Sequence, residues 1–182
     1  MSSCNSIGIV VWFTGLSGSG KTTIAEMLKK ELLERGKRVC VLDGDEVRAS
    51  LHKHLGFSRE DIRENNRLIA ELAEEKKKSS DCVLVPIIAP FREDRAMARS
   101  IVGDHFLEVF VDCPLSVCEE RDVKGLYQKV RTGEISDLIG VSGTSPYEKP
   151  LAPDLVIKTS EMSIEESTRT LLGLVLLRYQ NL

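Results

Sequence analysis

The 182-residue chain has no apolar stretch near the roughly 20 residues that a membrane-spanning helix needs. Its longest, Ile7 to Phe13, is short and interrupted by Gly8. No basic segment precedes it, so Met1-Ser2-Ser3-Cys4-Asn5 is not expected to be a secretory signal. Five cysteines are too few, and odd in number, for a disulfide-built secreted module. The expected setting is the cytoplasm, with thiols reduced. Positive charge is not in excess: 25 Lys and Arg stand against 28 Asp and Glu, a net charge of −3. That disfavours a nucleic-acid or membrane-surface partner and leaves room for a local basic pocket for a small anion. No repeat, low-complexity tract or Pro/Gly-rich linker divides the chain. Residues 1–182 read as one domain, large enough to bury a core without a metal or disulfide staple. His52, His54 and His105 fall in no metal-ligand spacing with the cysteines.

What is present is an alternation of short apolar runs and amphipathic stretches. Ile9–Phe13, Arg38–Leu42, Cys82–Ile88, Phe106–Val111 and Leu155–Ile157 read as strands. Between them, Thr22–Arg35 carries Ile24, Met27, Leu28 and Leu32 at helical spacing. Ser58 is a candidate N-cap for a long helix that closes on Lys76, Lys77 and Lys78, where cations suit the dipole. Phe91–Val102, a segment begun by Pro114, and Ile164–Tyr179 read as further helices. The pattern predicts a three-layer α/β domain: a parallel sheet of about five strands with helices on both faces. Asp122–Pro153 is polar and Gly/Pro-containing; a long irregular segment in a compact domain suits a lid, about residues 121–150. Cys40, Cys82 and Cys113 read as core residues.

Gly15-Leu16-Ser17-Gly18-Ser19-Gly20-Lys21-Thr22 matches G-x-x-x-x-G-K-[ST] between a predicted strand and a predicted helix, with Thr23 next in that helix. Such a P-loop wraps backbone N–H groups around phosphates. The helix N-terminus adds its positive dipole end, Lys21 neutralises charge, and the Thr22 hydroxyl suits Mg²⁺. The fold expectation is therefore of the P-loop NTPase type. A GTPase switch is disfavoured, because the four asparagines precede Ser, Asn, Arg and Leu and form no N-K-x-D guanine motif. A small-molecule kinase fits better.

Asp43-Gly44-Asp45 falls at the end of the second predicted strand, where open α/β sheets bind ligands. Its carboxylates suit holding Mg²⁺ or accepting a hydroxyl proton; the plain alternative is an Asp-Gly turn. Arg48 lies within helical reach. Arg63 and Arg67, four apart, share a helix face with Arg59, Asn65 and Asn66 nearby. They read either as an anion clamp or as a solvated face paired with Glu60, Glu64 and Glu71. Pro90-Phe91-Arg92-Glu93-Asp94-Arg95 is a further candidate wall.

These motifs resemble the adenylylsulfate kinase family over nearly the whole chain. The resemblance adds Asp43-Gly44-Asp45-Glu46-Val47-Arg48, Leu55-Gly56-Phe57-Ser58, and Glu108 to Leu115. It continues through Cys118-Glu119-Glu120-Arg121-Asp122-Val123-Lys124-Gly125-Leu126-Tyr127 and Tyr147-Glu148-Lys149-Pro150. It implies transfer of the ATP γ-phosphate to the 3′-hydroxyl of adenosine 5′-phosphosulfate (APS), giving PAPS and ADP, with Mg²⁺. By resemblance, Asp45 and Lys21 are catalytic, and Thr22 and Asp45 serve the metal. Residues 15–23 and Arg121 bind ATP. Asp43, Arg48, Phe57, Asn65, Arg67, Ile88, Ala89, Lys124 and Leu138 bind the acceptor, Phe57 stacking on its adenine, and Arg63 is expected to compensate for the family arginine missing at Ile62. The family has an arginine where this chain has Ile62, a serine where it has Ala89, and a lid phenylalanine where it has Leu138. Two alternatives stay open: a kinase of the same fold with another anionic nucleotide-like or polyol acceptor, and a nucleotide-binding regulatory module without catalysis. The expected partners are small nucleotides, a second copy through the widened apolar stripe of the last helix, and an ATP sulfurylase.

Overall fold

The computed structural model describes residues 8–50, 54–141 and 145–181. The N-terminal stretch read for a signal, Cys4 and His52 lie outside the described residues. The strands are β1 (Ile9–Thr14), β2 (Val39–Val41), β3 (Cys82–Pro86), β4 (Phe106–Asp112) and β5 (Leu155–Lys158). The helices are α1 (Lys21–Glu34), α2 (Gly44–Ser50), α3 (Arg59–Lys76), α4 (Arg92–Val102), α5 (Leu115–Arg121), α6 (Leu126–Arg131) and α7 (Ile164–Gln180). All strands are parallel, in the order β2-β3-β1-β4-β5, with β1 central: Val11 pairs with Leu84 on one side and Leu107 on the other.

Successive strand residues point to opposite faces, and both faces here are apolar. Ile9, Val11, Phe13, Leu84, Leu107, Val109 and Ile157 meet Ile24, Leu28 and Leu32 of α1 and Leu171 and Val175 of α7. Val10, Trp12, Val83 and Val85 meet Ile69, Ala70 and Ala73 of α3 and Ala98 and Val102 of α4. This is the expected three-layer arrangement. Leu28 has no exposed surface and sits in the first of these cores. Leu28→Ala is expected to lower stability by about 2–5 kcal/mol through lost transfer energy and a residual cavity. A urea titration would show the midpoint fall at unchanged slope.

Capping chemistry fixes several ends. Ser58 accepts from the Asp61 N–H at 3.1 Å to start α3. Ser163 and Glu166 form a reciprocal capping box on α7. Three elements differ from the sequence expectation. β3 stops at Pro86 rather than Ile88: the Ile88 carbonyl is shared by the Thr14 hydroxyl and the Gly15 N–H, and the Ala89 carbonyl accepts from the Arg95 side chain. α2 is a short helix with one buried apolar residue, Val47, too little for a periodic signal; Asp43 Oδ1 starts it by accepting from Asp45 N–H at 2.9 Å. The lid contains α6, begun where the Asp122 carboxylate accepts from the backbone of Tyr127 and Gln128.

Candidate active site

A cavity of about 430 Å³ opens beyond the carboxyl ends of the strands. The loop after β1 forms its floor. Gly15 sits at φ +151°, and a Cβ there would lie 2.5 Å from the Val111 carbonyl oxygen. Gly20 turns the chain into α1 at φ +103°. Both positions therefore exclude a side chain. Lys21 is buried and folds back onto the loop: its Nζ donates to the carbonyls of Gly15 at 2.9 Å and Leu16 at 2.7 Å. Burial, with Lys124 nearby, pushes its pKa down to about 8. An anion in the loop offers this ammonium the partner that its buried place lacks.

Other groups brace the loop. Arg121 at the end of α5 donates to the Thr159 carbonyl at 2.7 Å and the Thr159 hydroxyl at 3.2 Å. That hydroxyl donates to the Ser19 carbonyl at 2.8 Å, and Tyr127 of α6 donates to the Ser17 carbonyl at 2.8 Å. Leu16 packs against a small lid core of Cys113, Cys118, Tyr127 and Leu138. Burial pushes the Cys82 and Cys118 thiols up to about 12, which leaves both as unreactive thiols at neutral pH.

Asp45 and Asp43 stand at the N-terminus of α2 with different neighbours. Thr22 donates to Asp43 Oδ2 at 3.4 Å, whereas Asp45 forms an ion pair with Lys124 from the lid. Thr22, Asp43 and Asp45 are the hard oxygen donors Mg²⁺ prefers, few enough to leave it most of its waters. Among the described residues no three His, Cys, Asp or Glu side chains gather as a metal cage.

The cavity wall brings together Ser17, Gly18, Gly20, Lys21, Thr22, Thr23, Asp45, Arg48, Phe57, Asn65, Ile88, Ala89, Arg121 and Lys124. Phe57 is 72% exposed, with the Arg48 guanidinium 4.7 Å from its ring centre, so its face is presented at the mouth. Gly15, Leu16 and Ser19 shape the loop from behind, and Asp43 serves α2 and Thr22.

Three expected acceptor contacts are corrected. Inward positions of α3 are Ile62, Asn65, Asn66 and Ile69, so Arg63 is exposed on another face and cannot replace the arginine absent at 62. Arg67 is held between Glu64, at 2.7 Å, and Glu71 on its own helix, as the solvated-face reading has it. Leu138 is buried in the lid core, and its neighbour Ile139 lines the cavity instead. Phe91 lies outside the wall, covered by the Arg59 guanidinium at 4.0 Å. Sequence reading missed Thr159 and Met162, in the β5–α7 turn, and Ile164 and Ser167, in the first turn of α7, all of which line the cavity. They lie some 140 residues from the loop and carry no motif. It also passed over Thr14, whose place at the end of a buried strand next to Gly15 was the available signal.

The family model for adenylylsulphate kinase matches residues 7–158. The chain is 52% identical over 167 residues to the adenylyl-sulfate kinase of Bacillus pumilus, an alignment covering 91% of this chain and 84% of the relative. The adenylyl-sulfate kinase of Clostridium kluyveri is 44% identical over 173 residues, 95% of this chain and 86% of that one. The Mycobacterium tuberculosis APS kinase, solved with AMPPNP and APS, superposes with a TM-score of 0.85 at 44% identity, covering 92% of this chain and 97% of the other. A gluconokinase from Sinorhizobium meliloti, at 17% identity and a TM-score of 0.58 over 97% and 96% of the two chains, shares the fold alone.

Proposed function

The chain belongs to the adenylylsulphate kinase family, and on that premise we propose that it transfers the γ-phosphoryl group of ATP to the 3′-hydroxyl of APS, releasing ADP and PAPS. The observation that carries this reading is the facing of two halves across one cavity: the Lys21 loop on one side, and Asp45 with Arg48, Phe57 and Asn65 on the other.

When ATP fills the loop, Lys21 exchanges the Gly15 and Leu16 carbonyls for phosphate oxygens, and Arg121 stands beside the nucleotide. Asp45 leaves Lys124 and accepts the proton of the 3′-hydroxyl as that oxygen attacks phosphorus; the leaving oxygen departs on ADP. Lys124, released, stays on the lid as a cation for phosphoryl or sulfate oxygens. Phe57 stacks on the acceptor adenine, and Asn65 offers an amide to its polar edge. Mg²⁺, held by Thr22 and Asp45 with Asp43 close by, would neutralise charge on the β- and γ-phosphates. The lid, over about 121–150 of this single kinase domain, excludes water and so favours transfer over hydrolysis.

Ile62 is 6% exposed and lines the wall. The sulfate end of APS therefore meets an apolar side chain there, and Arg48 and Lys124 supply its cationic contacts. The test is ADP release from MgATP with and without APS, with the product identified by mass. APS-dependent ADP together with PAPS is the expected result. ATP binding with no APS turnover would sink the reading and redirect the search to other anionic hydroxyl acceptors.

The same reading carries a location and two associations. No helix among the described residues is long and apolar enough to cross a membrane, in keeping with a cytoplasmic enzyme. Leu177 is 56% exposed on α7 and open to a second copy, whereas Leu174, the other residue of the widened stripe, packs on the core; an APS kinase of Thiobacillus denitrificans, of which this chain spans 29%, is hexameric. An ATP sulfurylase is the partner whose product would be this enzyme's acceptor.

A further inference from the structure

Arg95 on α4 lies outside the cavity, is 2% exposed, and has no place in the transfer chemistry above. Its planar fork is used in three directions. Nε donates to Glu108 Oε1 of β4 at 2.7 Å, Nη1 to the Ala89 carbonyl at 2.6 Å, and Nη2 to the Glu148 carbonyl at 2.7 Å. Ala89 belongs to the loop after β3 that lines the cavity; Glu148 belongs to the segment by which the lid returns to the sheet.

A second set of bonds laces the same two segments. The Thr14 hydroxyl has one proton and lies 2.7 Å from the Ile88 carbonyl, which can only accept it. The Tyr147 hydroxyl, 2.8 Å away, must then be the donor to Thr14 Oγ1. Glu148 N–H donates to the Pro90 carbonyl at 2.8 Å, and the Glu148 carboxylate accepts from Arg92 N–H at 2.9 Å. Between these attachments Ala89 sits at φ +42°, a left-handed conformation that a residue with a side chain keeps only where its surroundings over-determine it.

We infer that Arg95 is the positioning residue of the acceptor wall: it fixes the left-handed turn at Ala89 and ties it to the foot of the lid, so that the wall and the lid hold one register toward the acceptor. This rests on the phosphoryl-transfer reading. Arg95 touches neither substrate and acts through Ala89 and Glu148. A lysine would keep the buried charge beside Glu108, but a single ammonium cannot reach three acceptors in three directions.

The test compares steady-state constants for both substrates in Arg95→Lys and Tyr147→Phe, each with its thermal midpoint. Tyr147→Phe keeps the ring stacked on Phe110 and removes only the donor to Thr14, so it guards against an Arg95 variant that fails to fold. Arg95→Lys is expected to raise KM for APS at least tenfold while KM for ATP stays within twofold; Tyr147→Phe is expected to raise the APS value about threefold with the same split. Equal changes in both KM values, or a lowered midpoint with both unchanged, would reduce Arg95 to a stabilising core residue and overturn the inference. Loss of APS turnover in the unsubstituted enzyme would instead overturn the transfer reading, and this inference with it.

Discussion

Lys21→Met is expected to lower kcat by about 10³-fold while making the empty protein more stable. The two effects have one cause. Removing a charged donor aimed at transferring phosphate oxygens costs on the order of 10²–10³ in rate at a preorganised site. The upper end applies here because Lys21 is the cation that the loop itself supplies. The same ammonium is buried and, without phosphate, faces only carbonyls and Ser19. Its pKa near 8, below the ordinary lysine value of 10.5, measures how poorly the folded state tolerates the charge. The sign follows directly. Below pH 8 both folded and unfolded chains carry the proton, and the burial penalty is fully present. Between about 8 and 10.5 the unfolded chain holds a proton the folded chain has shed, so native stability climbs relative to the variant. Lys21→Met should thus gain roughly 1–3 kcal/mol at pH 7, less the cost of leaving the Gly15 and Leu16 carbonyls without a donor. That gain should shrink as pH rises from 8 toward 10.5. Urea unfolding at pH 7 and pH 10, beside kcat, checks both halves; activity within tenfold of the unsubstituted enzyme would remove Lys21 from the chemistry.

Asp45→Asn is expected to lower kcat by about 10²–10⁴-fold, the range associated with a positioned proton acceptor, with KM for ATP changed only a fewfold. The amide keeps the shape, so α2, started by Asp43 rather than Asp45, is unaffected. On the proposed mechanism, what is lost is the oxygen that would take the hydroxyl proton and a negative donor for Mg²⁺. The companion Asp43→Asn should behave differently: Asp43 holds the start of α2 and accepts from Thr22, so its loss should raise the Mg²⁺ concentration needed for half-maximal rate. An Asp45→Asn enzyme with near-normal kcat would move the proton acceptor elsewhere, Asp43 being the next carboxylate to test.

The sheet was legible in the sequence because its inner strands β1 and β3 are apolar on both faces. Ile9–Phe13 and Cys82–Val85 are continuous buried runs, and only a doubly covered parallel sheet needs such runs. The phosphate loop was legible because its glycines answer to backbone geometry rather than to distant neighbours. The acceptor half was less so. Whether Arg63 and Arg67 face the cavity depends on the rotation of α3, set by Ile69, Ala70 and Ala73 against the sheet, and four-residue spacing is silent about rotation. Leu138 and Ile139 are adjacent, and only packing against Cys118 and Tyr127 decides which enters the lid core. Thr14, Arg95 and Tyr147 meet through contacts 53 to 133 residues apart. No local pattern carries that information.

The ion pair between Lys124 and Asp45 has a kinetic consequence. Its two side chains are 51% and 73% exposed, and pairs so open to water are worth about 0–1 kcal/mol after screening and lost side-chain freedom. The contact is a latch and not a lock. Thermal motion releases it without help from a substrate, so the pair by itself sets no appreciable barrier to admission. At that strength the pair is broken for a substantial share of the time, so the Asp45 carboxylate is within reach of an arriving hydroxyl before any substrate displaces Lys124.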